Sequence, residues 1–426
     1  MTDFEETTHQ DALSPAEAAD VAARFATLFD GLAELGTDPD GGWTRLAWTP
    51  QDAEARAWFD ACAGELGLVT SVDRNGNQWA WTADPAAGGA LVTGSHLDTV
   101  RRGGRFDGAL GVVTGLLAAH VLRTRGVTVP IGVVAFADEE GGRCNTPMLG
   151  SRLLAGAVEP AAVLDRRDED GIALRDAMAA AGVDPAGLGA DPGLLARIAA
   201  YVEVHVEQGR NLEDTDAAIA VATAVLPHGR WRVDLEGEAN HGGTTPPADR
   251  RDPMPVLAAI ITEGREAALE HGATVTIGRV VVSPNSANSV PEHVAVSVDV
   301  RGEREQEIEW IVERIVARAR AVAAEHGVGV DVARESYLPR VGFSPELRRV
   351  IADALRDAGI ATIELGTAAG HDAAALAPHV PAAMLFVRNP TGVSHSPAEF
   401  ARREDCLTGV AALVATLQRL TERGAA

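Results

Sequence analysis

Two apolar runs of strand character flank a Gly-rich helical stretch, and this alternation constrains the fold more than any other feature of the chain. Ala90-Leu91-Val92-Thr93 runs into Gly94-Ser95-His96, Gly108 to Arg123 is apolar at helical spacing, and Pro130 leads into the β-branched run Ile131 to Phe136. Strand, helix, strand in this order predicts a parallel α/β sheet. Further strands are expected at Leu68 to Val72, Ala200 to Val206, Thr362 to Glu364 and Ala382 to Val387. Helices are expected from Ser14 to Leu35 and from Pro50 to Leu66. The first opens on a Ser-Pro start signal and places Val21, Phe25, Leu28, Phe29 and Leu32 at helical spacing.

Between about Pro227 and Arg340 the texture changes. Strand (Trp231 to Leu235), helix (Met254 to Leu269), two strands (Thr274 to Val282 and Val294 to Val300), helix (Gln306 to Ala324) and strand (Val328 to Glu335) follow one another. This β-α-β-β-α-β order is ferredoxin-like and fits a small two-layer domain over 227–340, inserted in a larger one made of 1–226 and 341–426. Both helices of this segment end in Glu-His-Gly, at His271 and His326. A glycine cap with a histidine at the negative helix end accounts for both copies, so these histidines are expected to be structural.

The chain of 426 residues carries 37 Lys plus Arg against 61 Asp plus Glu, a net charge of −24. That excess repels polyanions and argues against nucleic acid or an anionic membrane surface as partner, which leaves a small molecule. No apolar run approaches the roughly 20 residues that span a bilayer. The acidic start, Met1-Thr2-Asp3-Phe4-Glu5-Glu6, lacks the features of a secretory signal, so a cytoplasmic protein is expected. Cys62, Cys144 and Cys406 are too few and too scattered for a disulfide framework or a thiolate zinc site.

The chemistry-bearing residues cluster where apolar strands end, which is where α/β sheets place their ligands. His96 follows one such strand, and Asp98, two residues on, could hold its second ring nitrogen; a turn with a surface His is the plainer alternative. Asp138-Glu139-Glu140 follows another, and three adjacent carboxylates at a buried edge are costly unless cations bind there. One of Glu139 and Glu140 would hold metal while the other served as general base; a solvated acidic loop is the alternative. Alternation puts Glu203 and His205 on one side of a strand, where a satisfied core histidine is the common case. His395 lies in a late Ser- and Pro-rich loop. Together these residues offer the nitrogen and oxygen donors that suit Zn²⁺ or Mn²⁺.

At this point the chain resembles a known family. His96-Leu97-Asp98-Thr99, Phe106-Asp107-Gly108, Glu139-Glu140-Gly141, His205-Val206-Glu207-Gln208-Gly209, Asn240-His241-Gly242-Gly243-Thr244-Thr245-Pro246, Gly370-His371-Asp372-Ala373 and Ser394-His395-Ser396-Pro397 occur in the order used by the dinuclear-metal amidases. That branch includes allantoate amidohydrolase, N-carbamoyl-L-amino-acid hydrolase and β-ureidopropionase, within the aminoacylase and carboxypeptidase superfamily. The resemblance implies two divalent ions per subunit, Zn or Mn with Co as a further option. Asp107 bridges them, His96 and His205 complete one site, Glu140 and His395 complete the other, and Glu139 is the general base. It also implies that His241 stabilises the oxyanion, and that Gln208, Asn288, Arg301, Gly370 and His371 contact substrate. The inserted domain would act as a lid and hold a homodimer, with His241 able to reach the partner's site.

The implied reaction is hydrolysis of a ureido or carbamoyl C–N bond on a small carboxylate, allantoate or an N-carbamoyl-L-amino acid, with release of ammonia and CO₂. An N-formyl or N-acyl amino-acid hydrolase would use the same metal site, an aminopeptidase is a more distant alternative, and a non-catalytic binding protein on this fold is the alternative of another class. The loop Gly366-Thr367-Ala368-Ala369-Gly370 departs from the Ser-Gly-Ala-Gly of many relatives, as do Cys144 in the segment after Glu140 and His228 in Leu226-Pro227-His228-Gly229-Arg230, and these departures bear on the acyl group preferred.

Overall fold

The computed structural model describes residues 12–39 and 41–424. The two apolar runs are neighbours in one sheet: Ala90–His96 pairs in parallel with Ile131–Phe136, so that His96 lies opposite Phe136. Parallel pairing continues through Ile198–Val206 to Ala382–Val387, where Phe386 lies opposite His205. Four carboxyl ends therefore open on one edge of the sheet. Antiparallel strands close both margins, Gln78–Trp81 and Val69–Val72 beyond Ile131–Phe136, and Ile219–Val225 beyond Ala382–Val387.

The helix Ala109–Thr124 lies against this sheet and packs on Pro15–Ala33 and Arg403–Glu422. Every residue from Ala109 to Ala119 is buried, which explains a helix so apolar on all sides. Pro15–Ala33 begins as expected, with the Ser14 hydroxyl accepting the Glu17 N–H and the Glu17 carboxylate reaching back to Ser14. Gly94 marks the tightest approach in the sheet. Its φ is +137°, and a Cβ there would fall 1.9 Å from the Val134 carbonyl oxygen.

Two strands of four residues or more were not legible in the sequence. Gln78–Trp81 is only four residues long and carries Trp rather than β-branched residues; Trp79 and Trp81, two apart, share one face and stack at 5.2 Å. In Ile219–Val225 alternate alanines dilute the β signal, although nearly every position is buried.

Contacts divide the chain into two compact units. One comprises the described residues up to Thr223 with Gly342–Leu365 and those from Gly370 onward; the other comprises Ala224–Val341 and Gly366–Ala369. The second unit has a four-stranded antiparallel sheet in the order Gly329–Leu338, His228–Glu236, His293–Arg301, Thr274–Ser283. Helices Met254–His271 and Glu305–His326 pack together, and Val233, Leu235, Val256, Ile260, Val296, Ile308 and Ile311 form its core. Gly272 and Gly327 take the left-handed cap after His271 and His326, as the sequence predicts. A short ribbon pairs Asn240–His241 with Ser289–Val290. Among the described residues no helix is long and apolar enough to cross a membrane.

Substituting Gly94→Ala forces the Ala90–His96 and Ile131–Phe136 strands apart. The expected loss is upward of about 3 kcal/mol in urea unfolding; an unchanged midpoint would contradict this strand spacing.

Candidate metal centre

Asp107 stands at the mouth of the helix Ala109–Thr124, and imidazoles from three other segments converge on its carboxylate. His96 Nε2 is 3.3 Å and His205 Nε2 3.1 Å from Asp107 Oδ1. His395 Nε2 is 3.4 Å from Oδ2 and also 3.3 Å from Glu140 Oε2. His96, Asp107 and His205 thus form one potential ligand group, and Asp107, Glu140 and His395 a second that shares Asp107. Glu139 lies beside the first, its Oε2 3.7 Å from His96 Nε2. Gly108 makes room for this approach: it has φ +65°, and a Cβ would fall 2.5 Å from the His96 ring. His96, His205 and Asp107 are buried, whereas His395 is exposed.

The hydrogen bonds of the two buried rings decide which nitrogens face inward as lone pairs. Nδ1 of His96 lies 2.9 Å from the Asp98 carbonyl oxygen, and Nδ1 of His205 lies 2.9 Å from that of Val206. A carbonyl only accepts, so each Nδ1 carries the proton, and a neutral ring must then present a bare Nε2 to Asp107. The Gly108 N–H donating to His205 Nε2 at 3.3 Å agrees. Lone pairs facing a buried carboxylate repel unless a proton or a cation lies between them.

The ionisation preferences point the same way. Burial opposes charge on His96, yet Asp107 and Glu139 hold its pKa well above the ordinary value. Burial also opposes charge on Asp107, but His205 and His96 keep its carboxyl well below the usual range. Burial pushes Glu139 and Glu140 well up, and for Glu140 the charge of Asp107 adds to the effect. The pocket calls for positive charge, and its donors suit divalent ions that accept nitrogen and oxygen.

Asp98 differs from the sequence expectation. Its carboxylate is 3.8 Å from His96 Nδ1, and the backbone carbonyl takes the ring instead. The carboxylate accepts the N–H groups of Glu139 and Glu140, each at 3.1 Å, and so anchors the loop that carries both acids. Arg45, a residue no motif pointed to, is buried with Nε donating to the Leu97 carbonyl at 2.9 Å, next to Asp98 in the chain. Burial lowers its pKa to about 10, opposed by the charge of Asp98.

Gln208 joins the centre by donating to Asp107 Oδ2 at 2.9 Å, with its Nε2 also 3.2 Å from Ser394 Oγ. His371 packs edge-on to His205 at 4.5 Å between ring centroids, next to Gly370. It is buried, and burial with the charge of His205 keeps it neutral. Glu203 accepts from the Ser95 hydroxyl at 2.8 Å and from the Ala373 N–H at 2.9 Å, and with His205 and His371 it forms a further potential ligand group. Cys144 is a buried thiol, its pKa pushed up to about 11 by burial, and thus unreactive.

His241, Asn288 and Arg301 belong to the second unit. His241 Nδ1 accepts the N–H groups of Gly243 at 3.1 Å and Thr244 at 3.2 Å, so a neutral ring carries its proton on Nε2 and is a donor there. Arg250 closes the turn by donating to the carbonyls of Gly242 at 2.6 Å and Thr245 at 2.9 Å. The Asn288 carbonyl accepts the Gly242 N–H at 2.7 Å, beside His241. Arg301 donates to Asp299 at 2.8 Å and to the Ala368 carbonyl at 2.7 Å. His228 donates from Nδ1 to the Leu226 carbonyl at 3.2 Å.

Comparison with known proteins brings this geometry into a wider setting. The sequence model of peptidase family M20/M25/M40 matches residues 92–419, a stretch that holds every residue of the centre. An N-carbamoyl-L-amino acid amidohydrolase of Geobacillus stearothermophilus is 38% identical over 396 residues, 92% of this chain and 96% of that protein. An allantoate amidohydrolase of Bacillus subtilis is 33% identical over 397 residues, covering 91% and 95%. A hydantoinase/carbamoylase family amidase from Burkholderia ambifaria superposes with a TM-score of 0.82 at 32% identity, over 93% of this chain and 97% of that one.

Asp98→Ala strands the buried N–H groups of Glu139 and Glu140. An expected loss of about 2–5 kcal/mol in urea unfolding of chelator-treated protein measures that anchor; a loss within experimental error would show that the loop holds itself.

Proposed function

The chain belongs to peptidase family M20/M25/M40, and on that premise we propose that it hydrolyses the ureido or carbamoyl C–N bond of a small carboxylate, allantoate or an N-carbamoyl-L-amino acid. It is a hydrolase of C–N bonds other than peptide bonds. The observation that carries the reading is the convergence of His96, His205, His395 and Glu140 on Asp107, with Glu139 beside them, in a chain so similar to carbamoyl and allantoate hydrolases.

The donor set fits two divalent ions, Zn²⁺ or Mn²⁺ with Co²⁺ as a further option. Asp107 would bridge them, His96 and His205 would hold one, and Glu140 and His395 the other. Ions bound there would supply Lewis-acid polarisation of the substrate carbonyl and a more acidic water. Glu139 takes the proton of that water as it attacks, and returns it to the departing nitrogen. Burial raises the proton affinity of Glu139, which suits a group that must hold a proton between the two transfers. One water is consumed as R–NH–CO–NH₂ becomes R–NH₂, CO₂ and NH₃.

His241, with Nε2–H as its free donor, takes the charge that develops on the carbonyl oxygen, a contribution typically of about 100-fold or more in rate. Arg301 with Asn288 receives the substrate carboxylate, which suits a guanidinium's paired donors. Gln208, Gly370 and His371 border the acyl group. The inserted unit is assigned the lid and dimer contact of a cytoplasmic homodimer.

Ammonia release from allantoate and N-carbamoyl-L-amino acids tests the reaction, and formate from N-formyl amino acids with no ammonia from ureido substrates would replace it with the formyl alternative. Chelation is expected to abolish turnover and Zn²⁺, Mn²⁺ or Co²⁺ to restore it. Glu139→Gln should keep its metal by elemental analysis yet lose at least about 100-fold in kcat; normal turnover would remove Glu139 as the base. Arg301→Ala should raise KM by roughly 10- to 100-fold with a smaller change in kcat.

A further inference from the structure

Glu399 is a buried carboxylate that the mechanism does not use, and it ties together the two loops that meet at the centre. It is 4% exposed. Oε1 accepts the N–H of Phe106 at 2.8 Å and that of Asp107 at 3.0 Å. Oε2 accepts the Ser394 hydroxyl at 3.1 Å. That hydroxyl also lies 3.2 Å from Asp107 Oδ2, and Ser394 is the immediate neighbour of His395. Among the described residues Glu399 makes no ion pair with Lys or Arg, so salt-bridge stabilisation does not account for it. Desolvating a carboxylate is costly, and an apolar side chain would fill the space at lower cost. The bonds it makes are what it contributes.

Both ends of this tether act on candidate ligands. The Phe106–Asp107 end fixes the backbone from which the shared carboxylate projects. The Ser394 end fixes the loop of His395, whose own backbone has φ +54°, a conformation that a non-glycine residue holds only when its surroundings impose it. An ion held by Asp107, Glu140 and His395 needs donors at set distances, and His395, being exposed, has little packing to hold it in place.

We infer that Glu399 is a positioning residue that sets the spacing between Asp107 and His395 before any ion arrives, and so controls the affinity of the half-site formed by Asp107, Glu140 and His395. This rests on the reading of those three side chains as cation ligands.

Hydrogen exchange and Zn²⁺ titration of chelator-treated protein test it, with Glu399→Leu and Glu399→Gln as variants. Glu399→Leu should expose the Phe106 and Asp107 amides to faster exchange and weaken the second equivalent of Zn²⁺ by about 10- to 100-fold, with the first little changed. Glu399→Gln keeps an oxygen for the two amides but no acceptor for Ser394. It should retain their protection and still weaken the second equivalent, as Ser394→Ala should. Wild-type affinity for the second equivalent in the Gln variant, or equal weakening of both equivalents in the Leu variant, overturns the inference, and the Gln variant decides if Leu does not fold. If wild-type protein takes up no Zn²⁺, the metal reading fails and this inference with it, whereas two normal equivalents in every variant remove this inference alone.

Discussion

A carboxylate surrounded by imidazole lone pairs in a buried pocket is an arrangement that neutral protein chemistry does not satisfy by itself. The carbonyls of Asp98 and Val206 take the Nδ1 protons of His96 and His205, so the inward nitrogens have only their lone pairs to offer Asp107. Proton-only solutions charge the rings against a strong desolvation cost, and the raised carboxyls of Glu139 and Glu140 bear the same cost in the opposite sense. Divalent cations relieve both sides together. The hydrogen bonds beneath the ligands make sense as a means of holding donors in place for such ions.

The parallel sheet makes this convergence possible with donors far apart in sequence. Strands Ala90–His96, Ile131–Phe136, Ile198–Val206 and Ala382–Val387 run in one direction, so His96, the Glu139-Glu140 loop, His205 and the His395 loop all emerge at one edge. The helix Ala109–Thr124 returns the chain beneath them and places Asp107 at its mouth. Tethers then join loops that the strands only bring near: Asp98 to Glu139 and Glu140, Glu203 to Ser95 and Ala373, Glu399 to Asp107 and Ser394. Buried carboxylates accepting backbone N–H groups recur in each case, because each loop end leaves donors that only a side chain can satisfy.

What was legible in the sequence followed from strong local signals. Apolar runs revealed the central strands, and the acids just beyond Phe136 revealed a site, because apolar strands seldom end in adjacent carboxylates without a reason. The parallel α/β class with an antiparallel inserted sheet emerged from the order of these runs. Asp98 shows where such reasoning stops: spacing placed its carboxylate near the His96 ring, but only the folded turn reveals that its carbonyl reaches Nδ1 first. Arg45 and Glu399 left no local trace, since a single charged residue in a loop looks solvated until its partners, distant in sequence, are known. Gln78–Trp81 escaped notice because four residues buried on both faces, with no β-branched member, leave too short and too uniform a pattern to read.

Asp138 shows how local strain serves the same centre. It lies two residues beyond the Ile131–Phe136 strand with φ +54°, and both oxygens of its buried side chain lack a hydrogen-bond partner. Burial, reinforced by the charge of Asp98, pushes its carboxyl well above the ordinary range. A left-handed residue at that point breaks the strict alternation of a strand. Beyond it the chain runs as a bend rather than a strand, so the alternation of a strand does not govern Glu139 and Glu140. In that bend Glu140 comes beside His395 and Glu139 beside His96, so a left-handed backbone and an unpartnered buried acid stand directly before the two glutamates of the centre, where strained residues tend to gather.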